Sequence, residues 1–280
     1  MNIKKTLIRD ENFTLSNNNL IPKIGFGTWQ IENDLASFSV KTALTNGYRH
    51  IDTAIDYGNE VGVGKGIKES GIDRKEIFVT SKIPASIKTY EEAKRCIKES
   101  LERLDLEYLD LMLIHSPRPW EILWDESAPR YYEENIEVYK ALEEAYFEGK
   151  IKNIGLSNFF IKDVDNILNN CKVKPVVNQI CVYIGNTPLE LINYCIDKNI
   201  LVEAYSPFAT GRITNNNTLK EIALKYNVSI PKLCLKYCLD INTLPLPKST
   251  NYKHIIDNLD VDFDIDSKDI ERLKKLKITL

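Results

Sequence analysis

Short apolar runs alternate with longer amphipathic stretches along most of the chain. Strand-like runs fall at residues 24–27, 50–53, 77–80, 109–114, 154–156, 176–178, 201–204 and 244–246. Each is too short for a helix and is rich in the aliphatic residues that suit a buried strand. Between them the apolar positions recur at helical spacing. The clearest case is 89–106, where Thr89 and Glu92 form a T-x-x-E start signal and Ala93, Ile97, Leu101 and Leu104 then line one face. A second helix is predicted over 133–148, with Ile136, Tyr139, Ala141, Leu142 and Ala145 on its apolar side and Gly149 at its end. Ahead of the first run, residues 13–22 read as a β-hairpin turning at Asn17-Asn18-Asn19.

Eight strand candidates alternating with helices predict an α/β fold, a closed (β/α)8 TIM barrel with the N-terminal hairpin closing its bottom. With 280 residues and no linker or repeat, one domain over 1–280 is expected. An open doubly wound sheet is the competitor, but it usually carries a G-x-G-x-x-G turn after its first strand. The glycine-rich stretch Gly62-Val63-Gly64-Lys65-Gly66 follows no strand. It reads as a helix whose small residues pack close to the barrel.

Charge and cysteine usage narrow the classes further. Lys and Arg number 37 against 40 Asp and Glu, and they are dispersed, which argues against a nucleic-acid or membrane surface as partner. The six cysteines include no C-x-x-C pair and the three histidines, His50, His115 and His254, lie far apart, so no metal site is expected. Residues 1–5 begin basic without the apolar run of a signal peptide, and no stretch reaches transmembrane length, so a cytoplasmic protein is expected. No apolar stripe is left over for an interface, which points to a monomer.

In a β/α barrel the chemistry sits at the C-terminal ends of the strands. There the second run ends in Asp52, followed by Tyr57; the third ends in Ser81-Lys82 and the fourth in His115. Taken singly, these residues read as an ion pair, a loop aromatic and a core histidine. Together, on three successive strand ends, they read as a proton donor. A phenol titrates near pH ~10, so it needs help to exchange a proton at neutral pH. Lys82 would favour the phenolate, Asp52 would hold Lys82 charged, and His115 would donate to a substrate carbonyl. The set suits reduction of C=O by an external hydride. His50 stands two residues before the strand end and reads as barrel filling.

These segments resemble the aldo-keto reductase family over nearly the whole chain. The resemblance is carried by Gly47-Tyr48-Arg49-His50-Ile51-Asp52-Thr53-Ala54 with Tyr57-Gly58-Asn59-Glu60, and by Leu113-Ile114-His115-Ser116-Pro117. It continues in Gly149-Lys150-Ile151, Ile154-Gly155-Leu156-Ser157-Asn158-Phe159 and Pro247-Lys248-Ser249. It implies a catalytic tetrad of Asp52, Tyr57, Lys82 and His115. It also implies cofactor contacts from Thr28 and Trp29, from Ser157, Asn158 and Gln179 to the nicotinamide carboxamide, and from Tyr205 stacked on the ring. Ser206 would meet the pyrophosphate, Lys248, Ser249 and Thr250 the adenosine phosphate, and Asn258 the adenine. Where the family pattern has an arginine six positions after the lysine, this chain has His254. NADP(H) is therefore the implied cofactor, with NAD(H) as the alternative. Trp29, Tyr57, His115 and Trp120 would face the substrate, with Trp124 a further wall candidate, and Arg118 and Arg130 would favour acidic substrates if they faced it.

A second departure is Ile180-Cys181-Val182-Tyr183-Ile184-Gly185, expected at the rim of the pocket, and the segment 208–215 is short for a lid. The implied function is reduction of small aldehydes and ketones to alcohols. Two readings compete: a catalytically weak nucleotide-binding regulatory subunit on the same fold, and a phosphate-handling barrel. The second lacks the usual Gly-rich turns after its last two strands.

Overall fold

The computed structural model describes residues 7–278, so the basic residues 1–5 lie outside it. Strands β1 (Asn12–Thr14) and β2 (Leu20–Pro22) pair antiparallel as a hairpin. Eight strands then form one parallel sheet in chain order: β3 (Phe26–Gly27), β4 (His50–Asp52), β5 (Phe78–Ile83), β6 (Leu111–Ile114), β7 (Ile154–Ser157), β8 (Val177–Cys181), β9 (Leu201–Tyr205) and β10 (Thr243–Leu246). Between successive strands run α1 (Asn33–Thr45), α2 (Glu60–Ser70), α3 (Tyr90–Leu104), α4 (Tyr132–Phe147), α5 (Ile161–Asn170) and α6 (Leu189–Asp197). Two helices, α7 (Asn217–Lys225) and α8 (Ile230–Asp240), separate β9 from β10; α9 (Tyr252–Asp257) and α10 (Ser267–Lys275) follow. The predicted start of α3 holds: the Glu92 amide donates to Thr89 Oγ1, a cap that contributes about 1 kcal/mol. Among the described residues no helix is long and apolar enough to cross a membrane.

The sheet closes into a barrel between β3 and β10 by an unusual seam. The Gly25 amide donates to the Pro245 carbonyl at 3.1 Å and the Gly27 amide to the Pro247 carbonyl at 2.9 Å. Pro245 in β10 and Pro247 just past it are the residues that accept from β3 and Gly25, and as prolines they have no N–H to return. Glycine is needed at 25, because a Cβ there would stand 2.5 Å from the Leu246 side chain and 2.6 Å from the His50 ring. The glycines of α2 serve a different contact from the one expected. A Cβ at Gly62 or Gly64 would lie 2.1 Å from the carbonyl of Asn33 or Leu104, so the close approach is to α1 and the end of α3, not to the barrel wall.

Side chains alternate between the two faces of a strand, and this sorts the interior into layers. At the bottom, Phe78, Leu111, Val177 and Leu244 pack with Leu15 and Ile21 of the hairpin, which closes that end. Asn17 and Asn19 fasten the turn by donating to Asn153 Oδ1 at 2.8 and 2.9 Å. Higher up the interior turns polar, with His50, Thr80 and Glu203 fully buried. His50 bonds Thr80 Oγ1 at 3.0 Å and rests edge-on against Phe78. Burial lowers its pKa to about 4, so the ring is a neutral filler.

Candidate active site

Above that layer the strand ends meet around Lys82. Its Nζ is fully buried and has three hydrogens to place. It donates to Asp52 Oδ1 at 2.7 Å, to the Thr53 carbonyl at 2.9 Å and to Tyr57 Oη at 3.2 Å. Burial on its own would lower the Lys82 pKa, but the Asp52 charge, the phenol and both hydrogen bonds outweigh it and hold the ammonium above its ordinary value. Tyr57 ends a short 3-10 turn, Ile55–Tyr57, directly after β4. That turn is laced to the loop carrying Trp29 by the buried amide of Asn59. Asn59 accepts from Thr53 Oγ1 and donates to the carbonyls of Thr28 and Ile31, each at 2.9 Å.

The phenol of Tyr57 behaves differently from the sequence expectation. Lys82 does pull its pKa down, but burial pushes up harder and Asp52 adds to it, so the net shift is upward. Tyr57 is therefore a neutral phenol that holds its proton. Because its oxygen accepts from Lys82, the remaining O–H points away from the ammonium.

His115, just past β6, is buried and donates Nδ1–H to Asp56 Oδ2 at 3.1 Å. Its ring meets Tyr57 edge-on at 5.6 Å and Trp120 at 5.0 Å. Burial lowers its pKa despite the hydrogen bond to Asp56. At neutral pH the ring is neutral with Nδ1 protonated, which leaves Nε2 as an acceptor. Donation to a carbonyl from Nε2 belongs to the doubly protonated form, a condition the sequence did not reveal.

A second cluster sits beside the first. Gln179 spends both amide hydrogens on carboxyl oxygens, Asp52 Oδ2 and Glu203 Oε2, each at 2.8 Å. Its oxygen is thereby the atom left to accept from a ligand. Asn158, held with φ at 59°, donates to the His115 carbonyl at 2.9 Å and to Ser157 Oγ at 3.0 Å, and accepts from Tyr205 Oη at 2.8 Å. Glu203 is fully buried; burial first, and then the Asp52 charge, raise its pKa to about 8.

These groups open onto one cavity of about 650 Å³, lined among others by Trp29, Asp56, Tyr57, His115, Trp120, Ser157, Asn158, Gln179, Tyr205, Ser206 and Lys248. Thr28 is not among its walls: its hydroxyl is bound to the Asp52 carbonyl at 3.0 Å and serves to join two strands. Ser249 and Thr250 on the approach to α9, and the exposed His254 within it, lie outside the cavity, and Asn258 is the buried residue closing that helix. Trp124 is 73% exposed and leans on Phe160, so it is no pocket wall. Arg118 is buried in its own loop, donating to the Asp125 carbonyl at 2.7 Å, and neither it nor Arg130 reaches the cavity. Residues 180–185 also lie off the rim, turning back through Tyr183 and Asn186 instead. The short segment after β9 does line the cavity, through Phe208, Thr210 and Gly211. Sequence reading missed Asp56 and Glu203; the signal for Glu203 was a lone acid inside an otherwise apolar strand.

Residues 23–278 match the Aldo/keto reductase family. The chain is 40% identical to the glyoxal reductase of Bacillus subtilis (strain 168) over 258 residues, covering 91% of this chain and 89% of that protein. It superposes with TM-score 0.87 on a crystal structure of an aldo/keto reductase from Brucella melitensis, at 36% identity, covering 96% of this chain and 99% of that one. A Bombyx mori aldo-keto reductase, solved in complex with NADP, superposes with TM-score 0.85 at 32% identity, covering 95% and 92% of the two chains.

Proposed function

The chain belongs to the aldo/keto reductase family, and on that premise we propose that it reduces small, neutral aldehydes and ketones, glyoxal-like dicarbonyls among them, with NADPH as its preferred reductant and Tyr57 as proton donor. As a family member it is an NAD(P)H-dependent oxidoreductase acting on carbonyl compounds. The observation that carries the finer reading is the phenol at the cavity wall, held neutral beside a buried ammonium.

The donor set fits a nicotinamide cofactor. Gln179, its hydrogens already bound, offers an oxygen to a carboxamide N–H, and Ser157 and Asn158 stand beside it. Tyr205, tethered through Asn158, offers a flat face. At the end of β10, Lys248 brings a cation to the same cavity, with Ser249, Thr250 and His254 beyond it. When bound, the nicotinamide supplies the hydride. Tyr57 then holds the proton destined for the carbonyl oxygen. As that proton leaves, Lys82 steadies the phenolate through its 3.2 Å hydrogen bond, and Asp52 keeps Lys82 charged and aimed. His115 and Trp120 wall the side on which the carbonyl oxygen must sit.

The regulatory-subunit reading drew on residues 181–185 and on His254; the first of these does not line the cavity. The test is Tyr57→Phe. Turnover of a reactive aldehyde should fall by about 10²–10⁴-fold while NADPH binding, followed by fluorescence, stays within about twofold. Parallel loss of both would remove Tyr57 from the proton-donor role.

A further inference from the structure

We propose that Asp56 is a specificity-determining residue, excluding carbonyl compounds that carry a negative charge. The inference rests on the reductase reading of the cavity. Asp56 sits on the 3-10 turn immediately before Tyr57 and lines the cavity; its side chain is 36% exposed while Oδ2 accepts from His115. The acceptor hydrogen bond places a carboxylate at the corner formed by Tyr57, His115 and Trp120.

What makes this charge count is the lack of a compensating one on the substrate side among the described residues that line the cavity. Asp52, the other acid on the wall, is paired with Lys82 at 2.7 Å. The ring of His115, which touches Asp56, is neutral at neutral pH because it is buried. Arg118, the cation nearest in sequence to His115, is folded into its own loop on the Asp125 carbonyl. Lys248 lines the cavity from just past β10, where the reductase reading commits it to the cofactor. The other described residues lining the cavity, Trp29 and Trp120 among them, carry no charge. With the cofactor in place, an incoming anion meets Asp56 with nothing to offset it.

A carboxylate held about 6 Å from Asp56, at an effective dielectric of about 20–40, is disfavoured by roughly tenfold to a hundredfold. The probes are two aldehydes of near-identical shape, 4-nitrobenzaldehyde and 4-carboxybenzaldehyde, assayed with NADPH. The neutral one should be favoured in kcat/KM by about tenfold or more. Asp56→Asn should shrink that ratio by about tenfold or more, and Asp56→Glu should restore it. A ratio unchanged in Asp56→Asn, with both substrates falling together, would overturn the proposal and leave Asp56 as support for His115. Should Asp56→Asn fail to fold, the unaltered chain still decides the matter. Raising salt from about 0.02 to 0.5 M should narrow the ratio by screening, and a ratio flat in salt would overturn the proposal. If the unaltered chain turned over neither aldehyde, the reductase reading itself would fall; turnover with an unmoved ratio sinks this inference alone.

Discussion

Replacing Glu203 by glutamine removes a carboxyl that the folded chain keeps protonated, and the effect on stability can be worked out in sign and size. The ordinary value for the group is 4.5 and its value in the fold is about 8. Between those pH values the unfolded chain has lost the proton and the folded chain still holds it. Stability then falls as pH rises, by about 1.4 kcal/mol per pH unit; below the window both states are protonated and above it both are ionised. Glutamine does not titrate. The stability of Glu203→Gln minus that of the unaltered chain should therefore grow by about 2–3 kcal/mol between about pH 5.5 and about pH 7.5. The new amide can still accept from Gln179, but its own hydrogens need partners beside His50. An unmet one costs about 1–3 kcal/mol, which shifts the difference equally at every pH and leaves its slope alone. Urea unfolding followed by tryptophan fluorescence at three pH values measures this slope. A difference that stays constant with pH would refute the account of Glu203 as a buried neutral acid.

Two further outcomes follow from the site. Because the Tyr57 pKa lies above its ordinary 10.0, aldehyde reduction should show no alkaline loss attributable to this group below about pH 10, while alcohol oxidation, which needs the phenolate, should keep rising with pH; an alkaline limb for reduction with a midpoint below about 9 would contradict the assignment. His254→Arg should tighten NADPH binding by about five- to tenfold and leave NADH unchanged, since a permanently charged fork replaces an exposed imidazole; fluorescence titration with both nucleotides checks it, and equal tightening of the two would count against a phosphate contact.

The barrel was legible because parallel strands buried on both faces read as plain apolar runs, and because the helices between them keep an amphipathic period. Strand edges were less so: the first run, 24–27, forms a ladder only at Phe26–Gly27, and that with β4; toward Pro245 and Pro247 it only donates. Asp52, Tyr57, Lys82 and His115 could be read as one group because strand ends converge in a barrel, a rule of topology that needs no coordinates. What could not be read were pairings across long separations. Asp56 and His115 are 59 residues apart, and Gln179 and Asp52 are 127 apart. Nor could the outcome of opposed electrostatic effects be read. Lys82 beside Tyr57 suggested a lowered phenol pKa, and the depth of burial, with the Asp52 charge adding to it, reverses that sign. Arg118 and Trp124 looked like pocket residues from their place after β6, yet the loop turns one inward upon itself and the other outward.

The proline-bearing strand gives the molecule a built-in parting line. Elsewhere around the ring neighbouring strands exchange bonds in both directions, but β10 only receives from β3. The weakest stave of the cask thus joins the first of its eight strands to the last, and Trp29 and Lys248 stand on its opposite lips. A bulky guest could spread those lips at the cost of two hydrogen bonds, while the polar floor beneath Tyr57 stayed whole.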